Sequence, residues 1–376
     1  MEIFKTFKFR IKPTKQQIID LTNACDCARY VYNRALGYHN LEYKESKENK
    51  FNAFKLMGML PDWKREKEWL GKAPSQVLQQ AIKNLERAMK NYFTQGATYP
   101  SFKKRNFNTS IKFPQSFKID EDKSKFYLPK IGWVKYSNSR NIEGKVKNIV
   151  IKRSCGRWYA TLQCLVEIKQ ASYKFKSLGI DLGVKNCLAT SDEELIQEIR
   201  VYRDNEKKLV KVQRKLERQI RGSSNYKKQL LKLSKLHEHI RNKRHHLLHR
   251  ITKEIANNNS HVFIENVSSR ELLHQDFSTA KRHKTNYNKA LNEQGWWYIK
   301  TFLRYKLEWQ GKNLIIVDRF NSSIECNRCS YISESNRVTR DEFICRRCGH
   351  KDNADINAAK NILKHGIITL QGSSDP

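Results

Sequence analysis

Four cysteines near the C-terminal end of the chain constrain its fold more than any other feature. They form two C-x-x-C pairs, Cys326 with Cys329 and Cys345 with Cys348, separated by fifteen residues. This is the spacing of a zinc ribbon, in which each pair lies on a tight turn and directs two thiolates at one tetrahedral ion. Buried structural cysteines or disulfide partners are the alternative, but these rarely fall into two such pairs. Four thiolates leave the ion no open coordination position, so the zinc would be structural.

The charge balance of the chain points to a polyanionic partner. Among 376 residues, 73 are Lys or Arg and 38 are Asp or Glu, which gives a formal net charge of +35. An excess of this size weakens a compact state through self-repulsion unless a large anion compensates for it. Anionic membrane is the competing partner, but membrane-binding proteins concentrate their basic residues on one helix or beside an apolar span. Here the basic residues are spread along the chain, which favours nucleic acid.

Length, cysteine usage and the N-terminus narrow the class of protein further. The chain is long enough for two or three domains, and its 17 Phe, 16 Tyr and 7 Trp exclude a disordered chain. No apolar run approaches the ~20 residues of a membrane span, and the first residues lack the layout of a secretory signal. An odd total of nine cysteines indicates a reducing compartment. We therefore expect a cytosolic protein, or a nuclear one if the source has a nucleus, that does not interact with membranes.

The first half of the chain alternates between strand and helix patterns. Residues 3–11 alternate apolar and basic side chains, which predicts a strand. A helix is predicted after Pro13 and a second after Pro74. The core positions of this second helix recur at helical spacing: Leu78, Ile82, Leu85, Met89 and Tyr92. Short strands with turns fill residues 110–170, and the N-terminal strand can join them with the helices inserted between.

The second half predicts an α/β domain. Residues 178–184, 261–267 and 314–318 form three apolar strand patterns. Residues 203–257 predict an antiparallel helix pair that breaks near Gly222. A coiled-coil dimer is the alternative, but only two or three heptads run before the break. An aromatic-rich helix is predicted over residues 296–309.

Three acids occur where the surrounding residues disfavour charge. Asp181 ends a strand pattern, Glu265 lies between Ile264 and Val267, and Asp355 opens the final helix. Ionised carboxylates are costly to bury unless cations accompany them, and two Mg²⁺ or Mn²⁺ ions about 4 Å apart would satisfy all three and cleave phosphodiesters. Alternatively, Asp181 is a turn residue and Asp355 favours the helix dipole. The order strand-acid, helices, strand-acid, helix-acid is that of an RNase H-like nuclease.

Taken together, these motifs resemble the TnpB family of transposon-encoded, RNA-guided DNA nucleases, which is related to type V CRISPR effectors. The resemblance covers the chain to about residue 365. Its motifs are Gly-Ile-Asp181-Leu-Gly, Ile-Glu265-Asn, the paired C-x-x-C turns, Asp355-Ile-Asn-Ala-Ala-Lys-Asn-Ile, Phe-Lys-Phe-Arg-Ile-Lys-Pro at the N-terminus, and Tyr99-Pro100-Ser101-Phe102-Lys103. Two departures from the family pattern are Asn321-Ser-Ser after Phe320, where a proline is frequent, and Ser330 in place of a glycine.

The resemblance implies a multidomain α+β fold. A β-barrel wedge domain would comprise residues 1–11 and 101–172, and a helical recognition domain residues 12–100. An RNase H-like (RuvC) α/β nuclease domain would comprise residues 173–320 and 351–368, with a zinc-ribbon insert at 321–350 that binds target nucleic acid and a loose tail at 369–376. Asp181, Glu265 and Asp355 would be catalytic and would hold Mg²⁺ or Mn²⁺, whereas zinc would be bound by Cys326, Cys329, Cys345 and Cys348.

The resemblance also implies a metal-dependent endonuclease that cuts double-stranded DNA beside a short adjacent motif. One protein would hold one guide RNA derived from the transposon end, in the prokaryotic cytoplasm near the nucleoid. Candidates for nucleic-acid contact are Gln76, Gln79, Gln80, Lys83, Lys103, Lys104 and Arg105. The alternatives are an RNA-guided DNA-binding regulator without nuclease activity and a DNA-strand transferase.

Overall fold

A computed structural model describes residues 2–46, 50–105, 109–168, 176–267, 272, 281–318 and 321–372; the side chains of 281–284, 286 and 372 are not described. The chain divides into two compact units, Met1–Glu167 and Ile168–Pro376. Within the described residues, no helix is both long and apolar enough to cross a membrane.

The first unit contains a seven-stranded antiparallel sheet in the order β2-β6-β7-β1-β5-β4-β3. The strands are β1 (Glu2–Lys12), β2 (Ser110–Phe113), β3 (Lys118–Asp120), β4 (Lys125–Leu128), β5 (Gly132–Tyr136), β6 (Lys145–Ser154) and β7 (Arg157–Glu167). Because β1 pairs with both β5 and β7, the N-terminal strand joins the later strands, as the sequence predicted. The pairs found among the described residues leave β2 and β3 at the two edges, so closure into a barrel stays a prediction.

Helices of the first unit pack on this sheet through one hydrophobic core. They are α1 (Lys15–Glu45), α2 (Ala53–Gly58), α3 (Leu60–Glu66) and α4 (Ser75–Gln95), with a 3₁₀ turn at Glu68–Lys72. Thr14 and Gln17 form a capping box that begins α1. In α4 the predicted core positions are buried with one exception, since Tyr92 is 38% exposed and its ring contacts Phe93 and Tyr99 instead.

The second unit contains a five-stranded mixed sheet in the order β10-β9-β8-β11-β12. Its strands are β8 (Ser177–Asp181), β9 (Asn186–Thr190), β10 (Leu195–Gln197), β11 (His261–Glu265) and β12 (Asn313–Val317). The strands β8, β11 and β12 are parallel, and β9 and β10 extend the sheet in antiparallel fashion. The three apolar patterns predicted from the sequence are thus the three parallel strands.

Among its described residues, this unit also contains five helices with defined bounds and a small second sheet. They are α5 (Val201–Glu217), α6 (Ser224–Asn258), α7 (Lys281–Gln294), α8 (Trp296–Glu308), α9 (Ala354–Gly372), and the antiparallel pair β13 (Glu342–Ile344) and β14 (Lys351–Asn353), with a 3₁₀ turn at Glu334–Asn336. The helices α5 and α6 pack against each other within the chain, and the Gln229 side chain donates to the Val212 carbonyl across the pair at 3.1 Å.

Helix α9 approaches β8 so closely that only glycine fits at position 179. A Cβ atom there would lie 2.2 Å from the Ala359 carbonyl oxygen. We expect Gly179→Ala to lower the free energy of unfolding of the second unit by about 2 kcal/mol, since overpacking forces backbone shifts. Thermal unfolding measures this, with Gly58→Ala as the control because a Cβ at Gly58 meets nothing within 4 Å. A Gly179→Ala protein as stable as the control would contradict the close approach.

Candidate functional site

The three predicted acids meet at one edge of the mixed sheet. Asp181 and Glu265 are the last residues of the neighbouring parallel strands β8 and β11, in which Ile180 lies opposite Ile264. Because the carboxyl ends of parallel strands share an edge, the two acids are adjacent. Asp355 lies in the first turn of α9, and all three acids line one cavity of about 230 Å³.

Residues from the cysteine-containing insert complete the cavity. Arg337 forms an ion pair with Asp355 (Nη2 to Oδ1, 3.3 Å), and the Ser322 hydroxyl donates to Glu265 Oε1 at 3.0 Å. The other Asp355 oxygen accepts a hydrogen bond from Asn186 at 3.2 Å. Neither Arg337 nor Ser322 was predicted from the sequence as a site residue.

The electrostatics of the cavity favour a bound cation. Burial, together with the negative charges of Asp355 and Glu265, raises the pKa of Asp181 to about 7 against the opposing charge of Arg337. Such a carboxyl group is poorly stabilised as an anion by protein groups alone. A divalent cation would supply the missing positive charge, and oxygen donors suit Mg²⁺ or Mn²⁺.

The cavity offers three carboxylates to a metal ion. Asp181, Glu265 and Asp355 all line it. Carboxylate oxygens are the donors that hold the paired divalent ions of two-metal phosphodiester cleavage, which lie about 4 Å apart.

The four cysteines form the second candidate metal centre. The Sγ atoms of Cys326 and Cys348 are 3.7 Å apart, and those of Cys329 and Cys345 are 3.6 Å apart. Tetrahedral zinc with Zn–S distances of about 2.3 Å requires sulfurs about 3.8 Å apart. The four thiols therefore fit one zinc ion with little movement, in agreement with their sequence spacing.

Both C-x-x-C turns use a left-handed residue directly after the second cysteine. Gly349 has φ +69° and Ser330 has φ +59°. Their backbone N–H groups donate to the carbonyls of Cys345 and Cys326, at 3.0 and 2.9 Å. Ser330, which replaces the glycine usual in the family, thus adopts the conformation for which glycine is preferred, and its hydroxyl accepts a hydrogen bond from Lys364 at 2.5 Å.

Some of the predicted nucleic-acid contacts come together in the first unit. Gln80, Lys103, Lys104 and Arg105 line a cavity of about 410 Å³, together with Arg29, Lys112 and other residues. Gln76, Gln79 and Lys83 do not line this cavity, and Gln76 donates to the Ser116 hydroxyl at 3.2 Å. The structure therefore groups four of the seven candidates and adds two cations that the sequence analysis had not named.

Three family models match the chain. They are "Probable transposase" of the OrfB_IS605 type over residues 162–275, "Cas12f1-like, TNB domain" over residues 296–362, and "Helix-turn-helix domain" over residues 1–48. The first two cover the acidic cavity and the cysteine centre. The third description differs from the structure, because residues 2–45 form the strand β1 and the single helix α1.

Similarity to known proteins extends over almost the whole chain. The Escherichia coli (strain K12) protein named "Putative RNA-guided DNA endonuclease InsQ" is 35% identical over 98% of this chain and 94% of its own length. A Streptomyces pristinaespiralis protein, "Putative RNA-guided DNA endonuclease", is 29% identical over 97% of this chain and 90% of its own. Among solved structures, the "Cryo-EM structure of the Cas12f1-sgRNA-target DNA complex" matches with a TM-score of 0.60 at 18% identity, over 96% of this chain and 98% of that one.

The chain thus shares the fold of a Cas12f1 chain, and its mixed α/β unit carries an acidic cavity and a four-cysteine cluster. The 35% sequence identity to the Escherichia coli protein, over nearly the full length of both chains, shows a common family and not only a common fold. The chain belongs to the TnpB family.

Proposed function

We propose that this protein is a transposon-associated, RNA-guided DNA endonuclease that cuts double-stranded DNA with the Asp181, Glu265 and Asp355 cavity. The observation that carries the proposal is the meeting of these three acids in one cavity at the carboxyl edge of the mixed sheet. The near full-length similarity to a relative named as an RNA-guided DNA endonuclease supports the same function. The strand order β10-β9-β8-β11-β12 and the positions of the three acids support an RNase H-like fold for this unit.

The three carboxylates would hold Mg²⁺ or Mn²⁺. When bound, a pair of such ions activates water and stabilises the leaving oxygen of a phosphodiester. Asp181 and Glu265 are fixed on a rigid sheet edge, which holds their oxygens in place with little reorganisation. Asp355 enters from the first turn of α9, where Asn353 Oδ1 accepts the backbone N–H groups of Asp355 and Ile356 at 3.0 and 3.3 Å and so caps the helix.

Arg337 is a cation in position to act on the substrate. Its guanidinium group lies beside Asp355, and Arg340 lines the same cavity. In the absence of metal, Arg337 balances part of the negative charge of the cavity. If the three acids held metal ions, the guanidinium of Arg337 would be available to bind a phosphate oxygen with its fork of donors.

We expect Arg337→Ala to lower the rate of DNA cleavage about 10²-fold without weakening DNA binding, as is typical for loss of one donor that stabilises developing charge. The measurement is single-turnover cleavage, with a parallel binding assay. Arg347→Ala is the matched control, because it removes the same charge from an exposed position of the insert outside the cavity. Equal rates for the two variants would show that Arg337 has no role at the site.

Nucleic acid is the partner that the net charge of +35 favours. The cavity lined by Gln80, Lys103, Lys104 and Arg105 would contact the backbone or the motif beside the target. Further contacts to nucleic acid would come from α4, the helix that carries Gln80, through Gln76, Gln79 and Lys83. Guide RNA from the transposon end would select the target by base pairing, with one protein per RNA in the cytoplasm near the nucleoid, while the zinc ribbon would help to position DNA.

Purification with associated RNA tests the guided part of this function. Sequencing of the RNA that copurifies at low salt should return one discrete species, and the complex should cut a plasmid that carries the matching target with Mg²⁺ but not with EDTA. A discrete RNA with target binding and no cutting would instead indicate a regulator. Joined DNA products would indicate a strand transferase, and absence of a discrete RNA would refute the guided function.

A further inference from the structure

Helix α9 has two faces with different chemistry. On one face, Ile362, Leu363 and Ile367 pack with Phe263 and Val317 of the mixed sheet. On the opposite face, two asparagines one turn apart are fully buried, Asn357 and Asn361. Buried amide groups are in most cases hydrogen-bonded, so the partners of these two side chains show what this face of the helix contacts.

Both asparagines bind the backbone at the start of the cysteine-containing insert. Asn361 Nδ2 donates to the carbonyls of Ser322 and Glu325, at 2.9 and 2.7 Å. Asn357 Nδ2 donates to the same Glu325 carbonyl at 2.8 Å, and its Oδ1 accepts the Asn327 backbone N–H at 3.0 Å. The two amides therefore fix the backbone of residues 322–327 relative to the helix that carries Asp355.

The Glu325 side chain adds a second attachment to the same face of α9. Glu325 is 4% exposed, and its carboxylate contacts His365 Nε2 at 2.8 Å and Lys364 Nζ at 3.3 Å. These residues lie about two turns beyond Asn357, and about one turn beyond Asn361, on the same side of the helix. The insert is thus held by a continuous polar seam, defined here as Asn357, Asn361, Lys364 and His365 with Ser322, Glu325 and Asn327.

One residue of the seam, Ser322, is hydrogen-bonded to a carboxylate of the acidic cavity. Ser322, whose carbonyl is bound by Asn361, is 5% exposed and donates its hydroxyl to Glu265 Oε1 at 3.0 Å. A carboxylate that also binds metal is oriented by such a hydrogen bond, since outer partners restrict which oxygen faces the ion. The backbone of Ser322 has to be fixed for its hydroxyl to do this.

We propose that Asn361, through the Ser322 backbone, and Ser322, through its hydroxyl, are positioning residues that orient Glu265 for metal binding. The seam thereby couples the zinc-binding insert to the nuclease cavity. This inference rests on the proposed function in that it assigns Glu265 to the metal site. It explains why the insert is fastened by buried asparagines, because apolar contacts would not fix the rotation of the Ser322 peptide.

The test compares Ser322→Ala, Asn361→Ala and the double variant in the full chain. The first measurement is Mn²⁺ binding to RNA-free protein, read from the electron paramagnetic resonance signal of free Mn²⁺, with Asp181→Asn defining the ions that bind outside the cavity. The second is the Mg²⁺ concentration that gives half-maximal cleavage. Thr369→Ala is the control, since its hydroxyl bonds within α9 to the His365 carbonyl.

We expect each single variant to weaken Mn²⁺ binding and to raise the half-maximal Mg²⁺ concentration about 10-fold, the lower end of what loss of an outer partner costs. Because both residues act through one hydroxyl, the double variant should be no worse than Ser322→Ala. Zinc content should stay at one ion per chain in all variants. Ser322→Ala removes only a hydroxyl, so it tests the proposal even if Asn361→Ala folds poorly.

Two outcomes would overturn the positioning role. One is unchanged Mn²⁺ affinity in both single variants of a protein that cuts DNA. The other is a double variant whose loss equals the product of the single losses, which would mean that Asn361 acts independently of Ser322. If the variants lose Mn²⁺ affinity as expected but the wild-type chain cuts no DNA, the proposed function is refuted and the positioning role is retained.

Discussion

Replacement of Asp181 by asparagine is expected to lower DNA cleavage by about 10³-fold or more, beyond the usual cost of one lost electrostatic partner, because a metal ligand is lost. RNA and DNA binding should be unchanged, since the amide has the same shape as the carboxyl group. The free energy of unfolding in EDTA should not fall. The substitution removes one of three like charges in a cavity where burial and the neighbouring acids already raise the pKa of Asp181 to about 7.

The matched control for Asp181→Asn is Asp318→Asn. Asp318 directly follows β12 and so lies at the same edge of the sheet, but it is exposed and does not line the cavity. Its replacement should leave the cleavage rate within about twofold of wild type, as for most surface substitutions away from such sites. Cleavage by the Asp181→Asn protein at the wild-type rate would refute the site assignment.

Loss of zinc is expected to abolish DNA cleavage although Asp181, Glu265 and Asp355 themselves are unchanged. A structural zinc ion contributes folding free energy of about 10 kcal/mol to a small domain. Residues 321–353 have few apolar contacts of their own, centred on Phe343 and the cysteines. Without the ion, the insert should unfold and withdraw Arg337 and Ser322 from the cavity. We expect Cys345→Ser to carry less than one zinc per chain and to lose DNA cleavage.

Metal analysis and cleavage assays of Cys345→Ser test this, with Cys155→Ser as the control. Cys155 is a half-buried thiol of the first unit, outside the four-cysteine centre, so its variant should keep both zinc and activity. Asp181→Asn should keep its zinc as well, which separates the two metal centres. Full zinc content together with full cleavage in Cys345→Ser would contradict the structural role of the cysteines.

The sequence was informative where function imposes a residue type that the fold alone disfavours. Glu265 at the end of an apolar strand and four cysteines at fixed spacing are such residues, and the structure brings each set together. Asp181 and Glu265 were predicted as site residues without knowledge of the strand pairing. The parallel pairing of β8 with β11 explains why their side chains meet. The assignment of catalytic roles to the acids stays a proposal.

Arg337 and Ser322 could not be found from the sequence for a physical reason. They lie in the irregular part of the insert, where neither helical nor strand periodicity predicts which side chain points inward. Arg337 is also one of 73 Lys and Arg residues, so its charge alone does not distinguish it from the others as a site residue. Only the folded insert, fixed by its cysteines and by α9, shows that this guanidinium reaches Asp355.

Helical periodicity was likewise limited near helix ends. The predicted core stripe of α4 holds from Leu78 to Met89 and fails at Tyr92, one turn before the helix ends at Gln95. There the neighbouring elements no longer cover the helix, and Tyr92 finds partners in Phe93 and Tyr99. Spacing predicts the face of a helix, but the length over which that face is covered depends on tertiary packing.

Dependence of DNA cleavage on a bound RNA is the main expectation for the acidic cavity. Its most direct test is to exchange the target-pairing segment of the copurifying RNA and to measure cleavage of two plasmids that differ only in the matching site. We expect the Mg²⁺-dependent cut to move to the newly matched plasmid with the wild-type protein and to disappear from both plasmids with Asp181→Asn. A cut that stays on the original plasmid, or that persists in Asp181→Asn, would contradict it.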